Sequence, residues 1–195
     1  MPRLLSLFPI LTIPLLLAGC AGTAGAQTDE VKPTDIAVKA EPSATPEVVS
    51  QQPPAECPIS IPPHPEFVPP SIPFVSPPSE PLPNSFWFGS EHLWTSLPMD
   101  GTWPSLPHNP EGYTQKIFWW SDHYSLKEQQ PDLIVTGQRL DAKAPPLHAS
   151  KATNASSGDI GESMLTGVDF PTLGCWKITG QYKDAELSFV VWVAP

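Results

Sequence analysis

Four histidines, His92, His108, His123 and His148, lie after residue 85 of this chain, and each imidazole is able to bind a metal ion or move a proton. None stands in a ligand spacing such as His-x-His or His-x₃-His. Asp122-His123, just after Trp119-Trp120, comes nearest, and its ordinary place is a solvated loop. A metal site would have to be assembled from separate loops. Met99 and Met164 are the soft ligands that a copper-type site would add, although methionines more often fill cores. No metal ligand is assigned from spacing.

Catalytic motifs are missing too. Nothing matches a nucleophile elbow, a P-loop, a dinucleotide fingerprint or a zincin helix. Serine and histidine are present, but no triad is readable without geometry. The carboxylates are scattered, so any two would make a pair. The expectation is no catalytic residue, no cofactor and no enzymatic activity. A formal charge of −10 without a basic cluster also argues against nucleic acid as a partner.

The compositional excess is in tryptophan. Trp87, Trp94, Trp103, Trp119, Trp120, Trp176 and Trp192 all fall after residue 85. Trp94 and Trp176 are expected to anchor a β core. Adjacent Trp119 and Trp120 point to opposite faces of a strand, so only one of them is expected in the core. Trp192 falls on the face opposite Phe189. Trp119 and Trp192 are therefore the candidate partner-binding aromatics, suited to stack on a sugar ring or grip a protein. The competing expectation is that Phe67, Phe74 and the neighbouring prolines cover these rings.

The elements that would position these groups are strands. Alternation and β-propensity predict them at 86–89, 92–97, 115–120, 133–139, 163–168, 175–182 and 186–193. Turn-rich stretches separate them, the longest at 141–161, and no long segment has helical periodicity. About seven short strands predict an all-β, immunoglobulin-like β-sandwich over residues 85–195, with a small barrel as the alternative. In the last hairpin Trp176, Ile178 and Tyr182 share one face, and Leu187, Phe189, Val191 and Val193 share another. Those faces should look inward, which turns Cys175 outward.

Upstream of residue 85 the composition changes. Of the 28 prolines, 16 lie between Ala21 and Ser85, which excludes a packed sheet or helix bundle there. Residues 20–56 carry no sustained apolar period and read as a disordered tether. Residues 57–84 are denser in proline and favour polyproline II. Ile59, Ile61, Phe67, Val68, Ile72, Phe74 and Val75 give that segment reason to lie on the domain.

Residues 1–19 read as a signal peptide: Arg3 is followed by an apolar run, Leu4 to Leu17, too short to span a bilayer comfortably. Leu17-Ala18-Gly19-Cys20 resembles the bacterial lipobox. That resemblance implies cleavage before Cys20 and acylation of its thiol, a membrane anchor when several acyl chains are present. With Cys20 acylated, Cys57 and Cys175 remain as an even pair in an oxidising compartment, and a Cys57–Cys175 disulfide is expected. Two isolated thiols are the alternative.

Several stretches occur together in a fixed order: Glu56-Cys57-Pro58-Ile59, Phe88-Gly89-Ser90, Leu93-Trp94-Thr95, Pro98-Met99-Asp100-Gly101, Gly137-Gln138-Arg139-Leu140-Asp141-Ala142 and Pro171-Thr172-Leu173-Gly174-Cys175-Trp176. By these the chain resembles an uncharacterised group of secreted or lipid-anchored bacterial proteins with a two-cysteine β domain. The resemblance implies the cysteine pairing and extracytoplasmic placement, and it carries over no functional residue. The expected role is that of a lipid-anchored protein of the cell envelope, facing periplasm or exterior. It would be non-enzymatic, with the membrane as one partner and an envelope protein or glycan as another. The alternative is a periplasmic metal-binding or metal-delivery lipoprotein.

Overall fold

The computed structural model describes residues 49–71, 80–158 and 160–195. Residues 1–19, Cys20, most of the expected tether, and Ile72, Phe74 and Val75 lie outside the described residues.

All regular structure among the described residues is β. The seven expected strands are β1 (Ser85–Gly89), β2 (Trp94–Pro98), β5 (Gly112–Trp120), β6 (Ile134–Arg139), β9 (Gly161–Phe170), β10 (Gly174–Tyr182) and β11 (Ala185–Ala194). Four more were not expected: β3 (Thr102–Pro104), β4 (His108–Asn109), β7 (His148–Ala149) and β8 (Thr153–Ser157). The described residues thus hold eleven strands, the seven expected ones and four short additions. β3, β4 and β7 are two or three residues long, too short for any alternation to register. β8 is Thr-Asn-Ala-Ser-Ser, polar and half-exposed, and it is a strand because β9 supplies a full antiparallel ladder from Thr153↔Leu165 to Ser157↔Gly161.

The strands make two sheets. In the first the order is β1-β2-β5-β9-β7, with β4 also on β5 and β8 also on β9; in the second it is β3-β11-β10-β6. Taking the longer strands alone, β2-β5-β9-β8 faces β6-β10-β11. This is the ABED and CFG arrangement of an immunoglobulin-like sandwich. β3 adds a short parallel pairing on β11, at Trp192↔Thr102 and Val193↔Trp103.

Side-chain alternation fills the space between the sheets. Trp176, Ile178 and Tyr182 of β10 and Phe189, Val191 and Val193 of β11 are all buried in the central core. They meet Ile117 and Trp119 of β5 and Met164, Val168 and Phe170 of β9. Trp119 is fully buried, 5.7 Å ring to ring from Phe189. A Cβ at Gly180 of β10 would come within 2.5 Å of the Trp119 ring. Antibody domains place a disulfide between the equivalent two strands; here an indole over a glycine occupies the position.

The ordered motif around residues 137–142 and 171–176 is a structural knot. Arg139, 2 % exposed along its side chain, donates to both Asp141 oxygens at 2.8 and 3.2 Å and to Thr172 Oγ1 at 3.3 Å. Asp141 Oδ1 also accepts from the Cys175 amide at 3.1 Å. The guanidinium lies against Gly174, which holds φ +130° and has no Cβ to obstruct it. Trp176 Nε1 donates to the Thr172 carbonyl at 3.0 Å. Arg139 and Asp141 thereby join the end of β6 to the start of β10.

Candidate functional site

The cysteines lie where the strand register put them. Cys175 faces away from the central core and is bonded to Cys57, with S–S 1.99 Å and Cα–Cα 5.7 Å across 118 positions of sequence. The chain beside Cys57 is laid over the outer face of the β11 sheet. Ser60 exchanges two bonds with Val190, its amide donating to the Val190 carbonyl at 2.9 Å and its Oγ accepting from the Val190 amide at 3.0 Å. This continues the β11 edge that β3 covers only from Trp192 to Ala194.

The aromatic expectation is corrected. Trp119 is wholly inside the central core and Trp192 is 3 % exposed, so neither presents a ring to a partner. Trp192 packs with Cys57, Cys175 and Ala194 beneath Val49 and Ile59, and its Nε1 donates to the Ser50 carbonyl at 3.0 Å. That bond and the packing of Val49 seat the chain on the domain at these two residues. Trp119 and Trp120 are both buried, on opposite faces of β5: only Trp119 is in the central core, as the alternation requires, and Trp120 is in an outer cluster. Trp94 is buried as expected, but in an outer cluster with Trp87 and Trp120, which Phe67 and Ile160 cover. Covering chain, rather than a partner, takes the surplus aromatic surface.

Met99 is exposed and Met164 is fully buried in the core, so the two do not share a copper-type site. The histidines divide differently. His148 and Glu111 lie near Asp169, but Asp169 Oδ1 is already committed to Thr114 Oγ1 at 2.6 Å and Asn109 Nδ2 at 3.1 Å. The Thr114 hydrogen bond holds the Asp169 carboxyl below its usual pKa; the Asn109 and His148 bonds act in the same direction, against partial desolvation. This group is a clamp between β4, β5 and β9.

The other cluster lies at one end of the sandwich. Its parts are the β1–β2 turn, the segment after β5 and the β10–β11 turn, and the Trp94↔Trp120 pair sets their register. His92 Nδ1 is 3.0 Å from Asp122 Oδ2, and His123 Nε2 is 3.7 Å from Asp122 Oδ1. The two imidazoles stack at 5.6 Å with 20° between planes. One ligand atom from each of the three residues lies within 4.8 Å of the other two. On its far side, His92 Nε2 is 3.5 Å from Glu91 Oε1.

Short polar bonds hold these turns. Ser90 closes its turn through its amide to the Leu93 carbonyl at 3.0 Å. The His123 amide donates to Ser121 Oγ at 3.1 Å, and Lys183 Nζ donates to the His123 carbonyl at 2.6 Å. Electrostatically the site is acidic around its imidazoles. The Asp122 hydrogen bond raises the His92 pKa above its usual value, with Glu91 and Asp184 adding to the effect. Burial pushes the neighbouring Tyr124 phenol up to about 12, so it stays neutral at physiological pH. Two imidazoles, a carboxylate and open solvent can bind a cation or exchange a proton.

Sequence reading singled out Asp122-His123 and named His92 as a candidate, but did not bring the two together. The missing signal was non-local: His92 and Asp122 are 30 positions apart and meet only because β2 pairs with β5 through Trp94 and Trp120. Comparison with protein-family models, curated proteins and solved structures gave no match for this chain.

Proposed function

We propose that this chain is a lipid-anchored, non-enzymatic protein of the bacterial cell envelope, in which the acylated Cys20 holds a β-sandwich outside the cytoplasm for binding. The observation that carries this reading is the Cys57–Cys175 bond. Disulfides persist in oxidising compartments and are rare in reducing ones. This one also ties the domain to the chain that leads back to Cys20, so tension on the anchor is transmitted to β10 rather than peeling the covering segment away.

With the indoles covered, exposed apolar side chains remain at Ile134 and Leu140 and, next to a groove that suits an envelope protein or glycan, on that segment and the turn beside it. Val68 is 78 % exposed, Ile61 63 % and Met99 53 %. They flank or line a groove of about 320 Å³ with Pro63, Phe67 and Trp87. Intermediate-sized concave sites of this kind suit a short peptide or sugar ligand better than catalysis, for which no paired acid and base converge there.

The test is intact-mass analysis and membrane fractionation of the chain expressed in a bacterium. The expected product begins at Cys20, carries acyl chains and needs detergent for release; Cys20→Ala moves it to the soluble fraction. A wild-type product that retains Met1, or has an unmodified thiol at position 20, overturns the proposal.

A further inference from the structure

We infer that His92, Asp122 and His123 form a binding site for a late first-row divalent cation of the zinc, nickel or copper(II) class, at the loop end of the sandwich. This is independent of the anchor reading and stands whether or not Cys20 is acylated.

Ligand chemistry is the first argument. Two neutral imidazoles and one carboxylate are the donors such ions accept, while calcium and magnesium prefer all-oxygen sets. Three protein ligands and an open side toward solvent is the arrangement of an exchangeable site rather than a closed structural one. His92 and His123 are each about half exposed along the side chain, 51 % and 49 %, so an ion can enter from water.

Spacing is the second. Bonds of about 2.0–2.1 Å to a tetrahedral ion put neighbouring donor atoms roughly 3.3 Å apart. Here the separations are 3.0 Å for His92 Nδ1 to Asp122 Oδ2 and 3.7 Å for His123 Nε2 to Asp122 Oδ1. These values run to the two separate Asp122 oxygens and lie on either side of the requirement, and the donor atoms of the three residues all lie within 4.8 Å of one another, so the half-exposed rings rotate to close on one ion.

An orphaned atom is the third and separate observation. Asp122 Oδ1 is buried and has no hydrogen-bond partner among the described residues; His123 Nε2, at 3.7 Å, is too far to donate. A buried carboxylate oxygen without a partner costs free energy, and an ion bridging it to His123 would remove that cost.

Nearby acidic groups favour a cation here. The Glu91 carboxylate, 3.5 Å from the far ring nitrogen of His92, is within reach to accept the proton on that nitrogen when the other binds an ion. Asp184 adds negative charge on the His92 side. The nearby Lys183 ammonium opposes binding electrostatically, but it is tied to the His123 carbonyl, which anchors the His123 backbone. The Glu111–His148–Asp169 group lacks these features, since hydrogen bonds already use Asp169.

The probe is Zn²⁺ alone, titrated calorimetrically into the disulfide-intact chain, with Co²⁺ as a spectroscopic substitute. The expected result is one saturable equivalent at micromolar protein, with Co²⁺ absorption bands of low-coordinate type. His92→Ala, Asp122→Asn and His123→Ala should each weaken binding by at least the 10–100-fold seen when outer-shell partners are removed. His148→Ala should leave it unchanged. Circular dichroism of each variant without metal confirms the fold, and the exposed His92 makes its variant the least demanding of stability. Absence of a saturable equivalent overturns the inference, as does binding that survives His92→Ala and His123→Ala together or is lost with His148→Ala.

Discussion

Asp169 shows how one carboxylate can be spent on architecture. It takes hydrogen bonds from Thr114 and Asn109 and faces His148, and its side chain is 14 % exposed. Its pKa is depressed in the folded state, so its contribution to stability is present above the unfolded value of about 3.9 and is lost as pH falls through the lower folded value. Asp169→Asn should therefore cost roughly 1.5 kcal/mol at neutral pH, the low end for hydrogen bonds to a charged group. The variant should also lose part of the acid sensitivity of the wild type below about pH 4. Urea denaturation at pH 7 and pH 3 measures both; a cost that is equal at the two pH values would show that the charge is unimportant. The same contrast separates the two histidine clusters: at Asp169 every strong acceptor position is used, whereas at Asp122 one oxygen is left over.

At the scale of elements, β5 and β10 carry the sandwich. Gly180 has no side chain because the Trp119 ring occupies the space a Cβ would need. Gly180→Ala should destabilise by about 1–3 kcal/mol through overpacking, although alanine is otherwise the milder residue in a strand. A denaturant melt checks it, and a neutral result would mean that the indole moves aside at no cost. The seven expected strands were legible because alternation of apolar residues or a run of β-favouring residues marks each of them. β8 was not legible, since its Thr-Asn-Ala-Ser-Ser run has no apolar face and owes its extended form to β9. β3, β4 and β7 follow the same rule: a neighbour's unpaired backbone groups, not local propensity, make them strands.

For the whole molecule, the Cys57–Cys175 bond joins the N-terminal covering segment to the sandwich. It closes a loop of 118 positions, for which the chain-entropy account gives about 4.7 kcal/mol. Replacing both cysteines by serine should lower stability by about 2–5 kcal/mol. Within residues 49–195, the segment from Val49 to Phe67 should also become the first part cut by protease, because it covers Trp192 and the Trp87–Trp94–Trp120 cluster from outside. Limited proteolysis with mass mapping of the fragments reads this directly. First cleavage elsewhere in the double-serine variant would show that the indole contacts alone hold the segment. The Trp192 Nε1 bond to Ser50 and the paired Ser60–Val190 bonds are the contacts that would then have sufficed.

The amino-acid order determined the all-β class, the inward faces of the last hairpin and the outward Cys175, because in a strand adjacent side chains must point to opposite sides and apolar ones seek cover. It also made a proline-rich stretch that cannot join a sheet interior but can lie over one. Tertiary structure alone decided which surplus indoles are covered, since the covering residues Phe67, Val49 and Ile59 are dozens to more than a hundred positions away from the rings they shield. It alone brought His92 to Asp122 and His123. That meeting depends on the pairing of two strands across a long loop, a contact that local pattern does not encode.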